Sequence, residues 1–140
     1  MGIRRRGREL ALQMLYQREV AGADMDQVVS TFRDLQEAPD APREFAVALA
    51  RGVVERMEEV DAGLREFADN WRLERMAAVD RNLLRLAVYE LLFHPETPPA
   101  VVIDEAVEIA KRYGSERSSK FVNGVLDGLL HRRISNTGSG

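Results

Sequence analysis

Between Arg43 and Phe67 apolar residues recur at steps of four or three: Phe45, Leu49, Val53, Met57, Val60, Leu64 and Phe67. That spacing keeps one side of an α-helix apolar, and charged residues fill the other side. At 1.5 Å per residue it predicts an amphipathic helix of about 37 Å. A helix that long must bury its stripe against other elements. No stretch of the chain alternates apolar and polar residues over enough positions to supply a strand. The constraint is therefore helix on helix, and the expected fold class is all-α.

The remaining segments agree. Ile3 to Ala21 carries the i,i+4 pairs Leu10/Met14, Ala11/Leu15 and Leu12/Tyr16, and Gly22 stops it. Asp24 or Asp26 can cap a helix whose stripe is Val28, Phe32 and Leu35, and the prolines of Glu37 to Pro42 predict a loop. After a break at Asp69-Asn70, Leu73 to Met76 reads as one short turn. Val79, Leu83, Leu86, Ala87 and Leu91, with a second stripe of Leu84, Val88 and Leu92, make a helix apolar over more than half its circumference. Such a helix belongs at the centre of a fold. Pro95, Pro98 and Pro99 lead into a helix ending at Tyr113-Gly114. Ser118 or Ser119 can cap the last helix, whose stripe is Phe121 or Val122, Val125, Leu126 and Leu129. Gly124 and Gly128, one turn apart, suggest a close helix–helix approach. The reading is about seven helices in one domain over residues 1–133, with an aperiodic, disordered tail at 134–140.

Several functions are excluded or disfavoured by what the 140 residues contain. There is no cysteine, hence no disulfide, thiol chemistry or cysteine-bound zinc. His94 and His131 form no metal-binding spacing, and no phosphate loop, dinucleotide fingerprint or nucleophile elbow is present. The longest uncharged run, Leu10 to Gln17, is too short for a membrane span or signal peptide. A cytoplasmic, non-enzymatic protein with no cofactor and no membrane association is the expectation. Glu58-Glu59 and Glu105/Glu108 read as solvating charges.

The net charge of −3 is unevenly distributed. Residues 1–18 and 111–140 are both net basic, and the long middle is strongly acidic. If the ends meet, they form one positive patch suited to a phosphate backbone. Arg4, Arg5, Arg6 and Arg8 lie in the first turns of a helix, where the helix dipole disfavours cations, and guanidinium forks match phosphate oxygens. At the other end, Ser118 and Lys120 sit where helix amides can help hold an anion. Phe121 can stack on a base or join the core, and Asn123 can read a base edge or bond backbone.

Four blocks carry a family resemblance: RRRGRELALQMLYQ, VDRNLLRLAVYELL, VVIDEAVEIAKRYG and KFVNGVLD. In this order, from about Arg4 to Leu130, they resemble the NusB transcription antitermination proteins. The resemblance implies two three-helix bundles packed across each other. It implies pairing with the ribosomal protein NusE, binding of single-stranded boxA RNA in ribosomal RNA leaders, and action on the transcription elongation complex. Arg4, Arg5, Arg6 and Arg8 match the family's RNA-binding end, and Lys120, Phe121 and Asn123 match its KFVN block near the RNA. Tyr16 and Asp80 match partner-facing positions, Asp80 standing where some members have Glu. Arg117 stands where some members have an acid, so no RNA contact is carried over at that position. Family members occur as monomers and as homodimers, and the sequence leaves both open. Two alternatives remain: the NusB-like domain of ribosomal RNA cytosine methyltransferases, whose cofactor domain has no room in 140 residues, and a protein-only helical adaptor.

Overall fold

The computed structural model describes residues 2–67 and 73–138, and among these the chain forms eight α-helices, one 3-10 turn and no strand. The helices are α1 (Ile3–Ala21), α2 (Met25–Thr31), α3 (Arg33–Glu37), α4 (Asp40–Glu55), α5 (Met57–Phe67), α6 (Ala78–Phe93), α7 (Pro99–Tyr113) and α8 (Glu116–Gly138), with the 3-10 turn at Leu73–Arg75 before α6. The break expected at Asp69-Asn70 lies outside the described residues. The backbone of α8 stays helical to Gly138, beyond the Arg133 boundary read from the sequence.

Two cores organise the helices. One gathers Leu10, Ala11, Met14 and Leu15 of α1 with Val28, Leu35, Ala46, Leu49, Ala50 and Val53. The other gathers Val60 and Leu64 of α5 with the apolar faces of α6, α7 and α8. α6 serves both. Leu86 joins the first core, while Leu83, Leu84, Ala87, Val88 and Leu91 join the second. Its wide apolar surface has this cause, and its central position is as the sequence predicts.

The single helix expected over Arg43 to Phe67 is two. α4 begins earlier, at Asp40, and carries Pro42 in its first turn, where a missing N–H leaves no bond unmade. It ends at Arg56, whose φ of −106° and ψ of 22° turn the chain before α5. The apolar stripe is continuous, with Val53 in one core and Val60 in the other, and the break at Arg56 lies between them. The Val28–Leu35 helix is also divided, at Phe32, where ψ is 108°. α2 begins at Asp24 with a reciprocal cap: the Gln27 amide donates to the Asp24 carboxylate, and the Asp24 amide donates to Oε1 of Gln27. Gly22 adopts the left-handed φ of 67° that ends α1.

Polar side chains lock the two cores together. Arg85 of α6 forks onto Asp61 of α5, at 2.9 and 3.1 Å, and reaches Glu19 of α1 at 3.1 Å. Arg81 also bonds Glu19, at 2.9 Å through Nε, and donates to the carbonyls of Leu73 and Met76. The hydrogen bonds from Arg81 hold the Glu19 carboxyl below its ordinary pKa, and Glu19 raises that of Arg81.

Candidate nucleic-acid and partner interfaces

The arginines of α1 begin as one cluster in sequence and end in different environments. Arg4 is exposed and places its guanidinium carbon 5.7 Å from the centroid of the Phe45 ring. Arg5 is partly buried and ion-paired through Nε to Glu105 of α7. Arg6 lies 3.6 Å from Glu9. Arg8 is only 3% exposed. Its Nε and Nη2 fork onto Glu90 of α6 at 2.8 and 2.9 Å, and Glu105 lies 3.7 Å from its Nη1. Burial works to lower the Arg8 pKa, but the hydrogen bonds and charges of Glu90 and Glu105 outweigh it and the net shift is upward. Expected at the RNA-facing end with its neighbours, Arg8 instead points into the molecule, where Glu90 is its anion. Cations at the positive end of a helix are disfavoured, and here carboxylates from α6 and α7 offset that penalty.

Gly7 shapes this end as well. A Cβ there would lie 2.4 Å from Cδ2 of Phe45, so the absence of a side chain lets α4 bring that ring against α1. The ring then sits 5.7 Å from the guanidinium carbons of both Arg4 and Arg8.

Arg6 of α1 and Arg112 at the end of α7 meet at Glu9. This carboxylate is 1% exposed, and its Oε2 accepts from Nη1 of Arg112 at 3.1 Å while Arg6 approaches its Oε1. Burial, and then the Glu9 charge, raise the pKa of the adjacent Tyr113 hydroxyl. Arg112 and Tyr113 close α7, and α8 follows after Gly114 and Ser115. A Cβ on Gly114 would come 2.7 Å from Oγ of Ser118, which explains the glycine in this tight link. The cap of α8 is Ser115, not Ser118 or Ser119: its Oγ accepts from the Ser118 amide at 3.1 Å.

Along α8, Lys120 and Asn123 are exposed, Ser118 is half-buried, and Phe121 is half-buried against the larger core. Gly124 and Gly128 do not serve close helix packing. Both are exposed, and a Cβ on either meets nothing within 4 Å.

Tyr16 and Asp80, which match partner-facing positions of the family in sequence, sit elsewhere. Tyr16 is 37% exposed and lines a cavity of about 280 Å³ with Gln13, Gln17, Phe32, Val79 and Tyr113. α6 begins at Ala78, so Asp80 lies inside its first turn and is not its cap. One carboxylate oxygen of Asp80 is buried without a hydrogen-bond partner, as is Oε1 of Gln13 on the cavity wall.

Sequence reasoning missed Phe45, read as part of a core stripe, and Arg112, read only as charge. It also assigned Glu105 to solvent, whereas Glu105 engages Arg5 and Arg8; Glu108 does remain exposed, beside Lys111. Among the described residues no three acidic or histidine side chains assemble as a metal site, and no helix is long and apolar enough to cross a membrane.

Comparison with known proteins agrees with the four sequence blocks. The NusB family model matches residues 5–131. The transcription antitermination protein NusB of Sorangium cellulosum is 54% identical over 129 residues, 91% of each chain. The structure of T. maritima NusB superposes with a TM-score of 0.81 at 42% identity, over 90% of this chain and 89% of that one. A crystal structure of antitermination factors NusB and NusE in complex with dsRNA contains a chain that matches with a TM-score of 0.80 at 29% identity, over 94% of this chain and 98% of that one.

Proposed function

The chain belongs to the NusB family, and on that premise we propose that it is an RNA-binding transcription antitermination factor. In this reading it pairs with NusE in the cytoplasm, binds the single-stranded boxA element of ribosomal RNA leaders, and joins the transcription elongation complex. It acts as a binding protein rather than an enzyme, with residues 1–133 as its single domain. The observation that carries the reading is the meeting of Arg6 and Arg112 on Glu9. It brings an arginine of α1 and one from the end of α7 onto a single carboxylate, with Arg4 and Arg5 nearby on α1.

The division of labour follows from chemistry. Arg4, Arg5 and Arg6 hold phosphates through their guanidinium forks. Lys120 and Ser118 add a cation and a hydroxyl, Phe121 a ring edge, and Asn123 an amide for a base. NusE docks at Tyr16 and Asp80, where a basic partner complements the Asp80 charge.

The test is titration of a labelled boxA-type single strand, an unrelated strand and a duplex, each with and without NusE. Three phosphates held by Arg4, Arg5 and Arg6 give a slope of log K against log salt of about −2 on a single strand, at about −0.7 per phosphate. Changing these three to Ala should flatten that slope while the helical circular dichroism is kept. An unchanged slope removes them from the RNA site. Equal affinity for all three nucleic acids, with no response to NusE, overturns the boxA reading.

A further inference from the structure

Glu105 is the acid that holds the accessible end of the arginine cluster. It comes from α7, is bonded by Nε of Arg5, and lies 3.7 Å from Arg8. Arg8 already has its own buried fork on Glu90, so the charge that Glu105 chiefly neutralises is that of Arg5. Both members of the Arg5–Glu105 pair keep contact with solvent, at 31% and 20% side-chain exposure. A carboxylate and a phosphate each offer a guanidinium two anionic oxygens that can accept its paired N–H groups. Neither an invading phosphate nor Glu105 can use the full charge of Arg5 while the other is present.

We propose that Glu105 is an intramolecular competitor of RNA phosphate for Arg5, and that it sets a threshold for RNA binding at this end of α1. The proposal rests on the RNA reading of the arginine cluster. A strand held only by its backbone must displace or share Arg5 with Glu105 and gains little. A strand also held through bases or through a bound partner gains enough elsewhere to make the exchange. The carboxylate thereby lowers the affinity of every strand, so that at a given concentration only a strand also held elsewhere stays bound.

The experiment is a double-mutant cycle between Glu105→Gln and Arg5→Gln. It is read as affinity for a boxA-type single strand and for an unrelated strand of the same length. Glu108→Gln, on an exposed carboxylate of the same helix, controls for net charge. Glu105→Gln should tighten binding of both strands by roughly fivefold, the upper range for a solvent-accessible ion pair. The gain should vanish in the Arg5→Gln background, and Glu108→Gln should give no comparable gain. Circular dichroism and the thermal midpoint report folding, and Glu105→Ala replaces the Gln variant if that one is unfolded. Unchanged or weaker RNA binding by Glu105→Gln overturns the proposal, because Glu105 then only positions Arg5. A gain that persists without Arg5, or that Glu108→Gln reproduces, also overturns it. If the Arg4, Arg5 and Arg6 triple Ala variant binds RNA like the unmodified protein, the RNA reading itself has failed. If that variant binds poorly but Glu105→Gln brings no gain, only the competitor has failed.

Discussion

Arg8 separates architecture from recognition within one arginine cluster. Changing it to Met keeps an unbranched stem of similar length but removes the guanidinium. Glu90, 3% exposed and held at 2.8 and 2.9 Å, then remains as a buried carboxylate without its counter-charge. Removing one partner of a buried ion pair costs about 3–5 kcal/mol. That is a large share of the roughly 5–15 kcal/mol available to a domain. For a chain of this length it corresponds to a fall in thermal midpoint on the order of 10 °C. The loss of contact with the Phe45 ring acts in the same direction. The assay is thermal and urea unfolding followed by circular dichroism, with Arg8→Met, Glu90→Leu and the double variant in parallel. The double variant should recover most of the stability, since an apolar pair of similar volume can replace a buried ion pair with little penalty. Arg4→Ala should do the reverse of Arg8→Met: an unchanged midpoint and weaker RNA binding. The reasoning is refuted if Arg8→Met melts like the unmodified protein and loses RNA affinity as Arg4→Ala does.

Asp80→Asn should leave stability within about 0.5 kcal/mol, since the buried Oδ1 of its carboxylate has no hydrogen bond to lose. It should weaken NusE binding by about tenfold, in the range for a close charge pair across an interface; calorimetric titration with NusE reads this, and undiminished binding moves the interface elsewhere. Glu19 has its pKa lowered chiefly by Arg81. Its contribution is therefore present at neutral pH and lost as pH falls through and below the ordinary carboxylate range. Glu19→Gln should lower stability near neutrality and flatten the acid limb of the stability curve, and a parallel acid limb would deny Glu19 this part. Gly124→Ala and Gly128→Ala should each stabilise α8 by about 0.5–1 kcal/mol, because the helix gains propensity and the new Cβ meets nothing. A lowered melting temperature for either variant would mean that the glycine is needed for packing after all.

The periodic signals in the sequence report which side of a helix is buried, not against what. For α6 this is sufficient, because apolar residues around most of the circumference require neighbours on most sides. For Phe45 to Leu64 it is not. The stripe runs unbroken through Arg56, although Leu49, Val53 and Met57 pack in one core and Val60 and Leu64 in the other. Phe32 presents the same difficulty on a shorter scale. Local chemistry also points to Ser118 or Ser119 as the cap of α8, whereas Ser115 fills that place. The choice of Ser115 follows from the tight link at Gly114, where Ser118 stands against the glycine.

The site was legible as charge and illegible as pairing, for a reason that also bears on its function. Arg5 finds its carboxylate 100 positions away, Arg8 at 82, and Arg112 at 103. No local pattern contains such distances; only the packing of α1 across α6 and α7 creates them. The acidic middle of the chain is therefore not simply a surface set against a basic end. Glu90 and Glu105 come from it, and with Glu9 they neutralise arginines that the sequence would count as free. Arg8 becomes a beam holding α1 to α6, Arg5 and Arg6 keep their charge partly engaged, and Arg4 on Phe45 is the most open of the four. A cluster graded in this way fixes the helix that carries it before any ligand arrives. A phosphate then meets a preorganised but partly occupied surface, where what it can gain depends on which carboxylate it displaces.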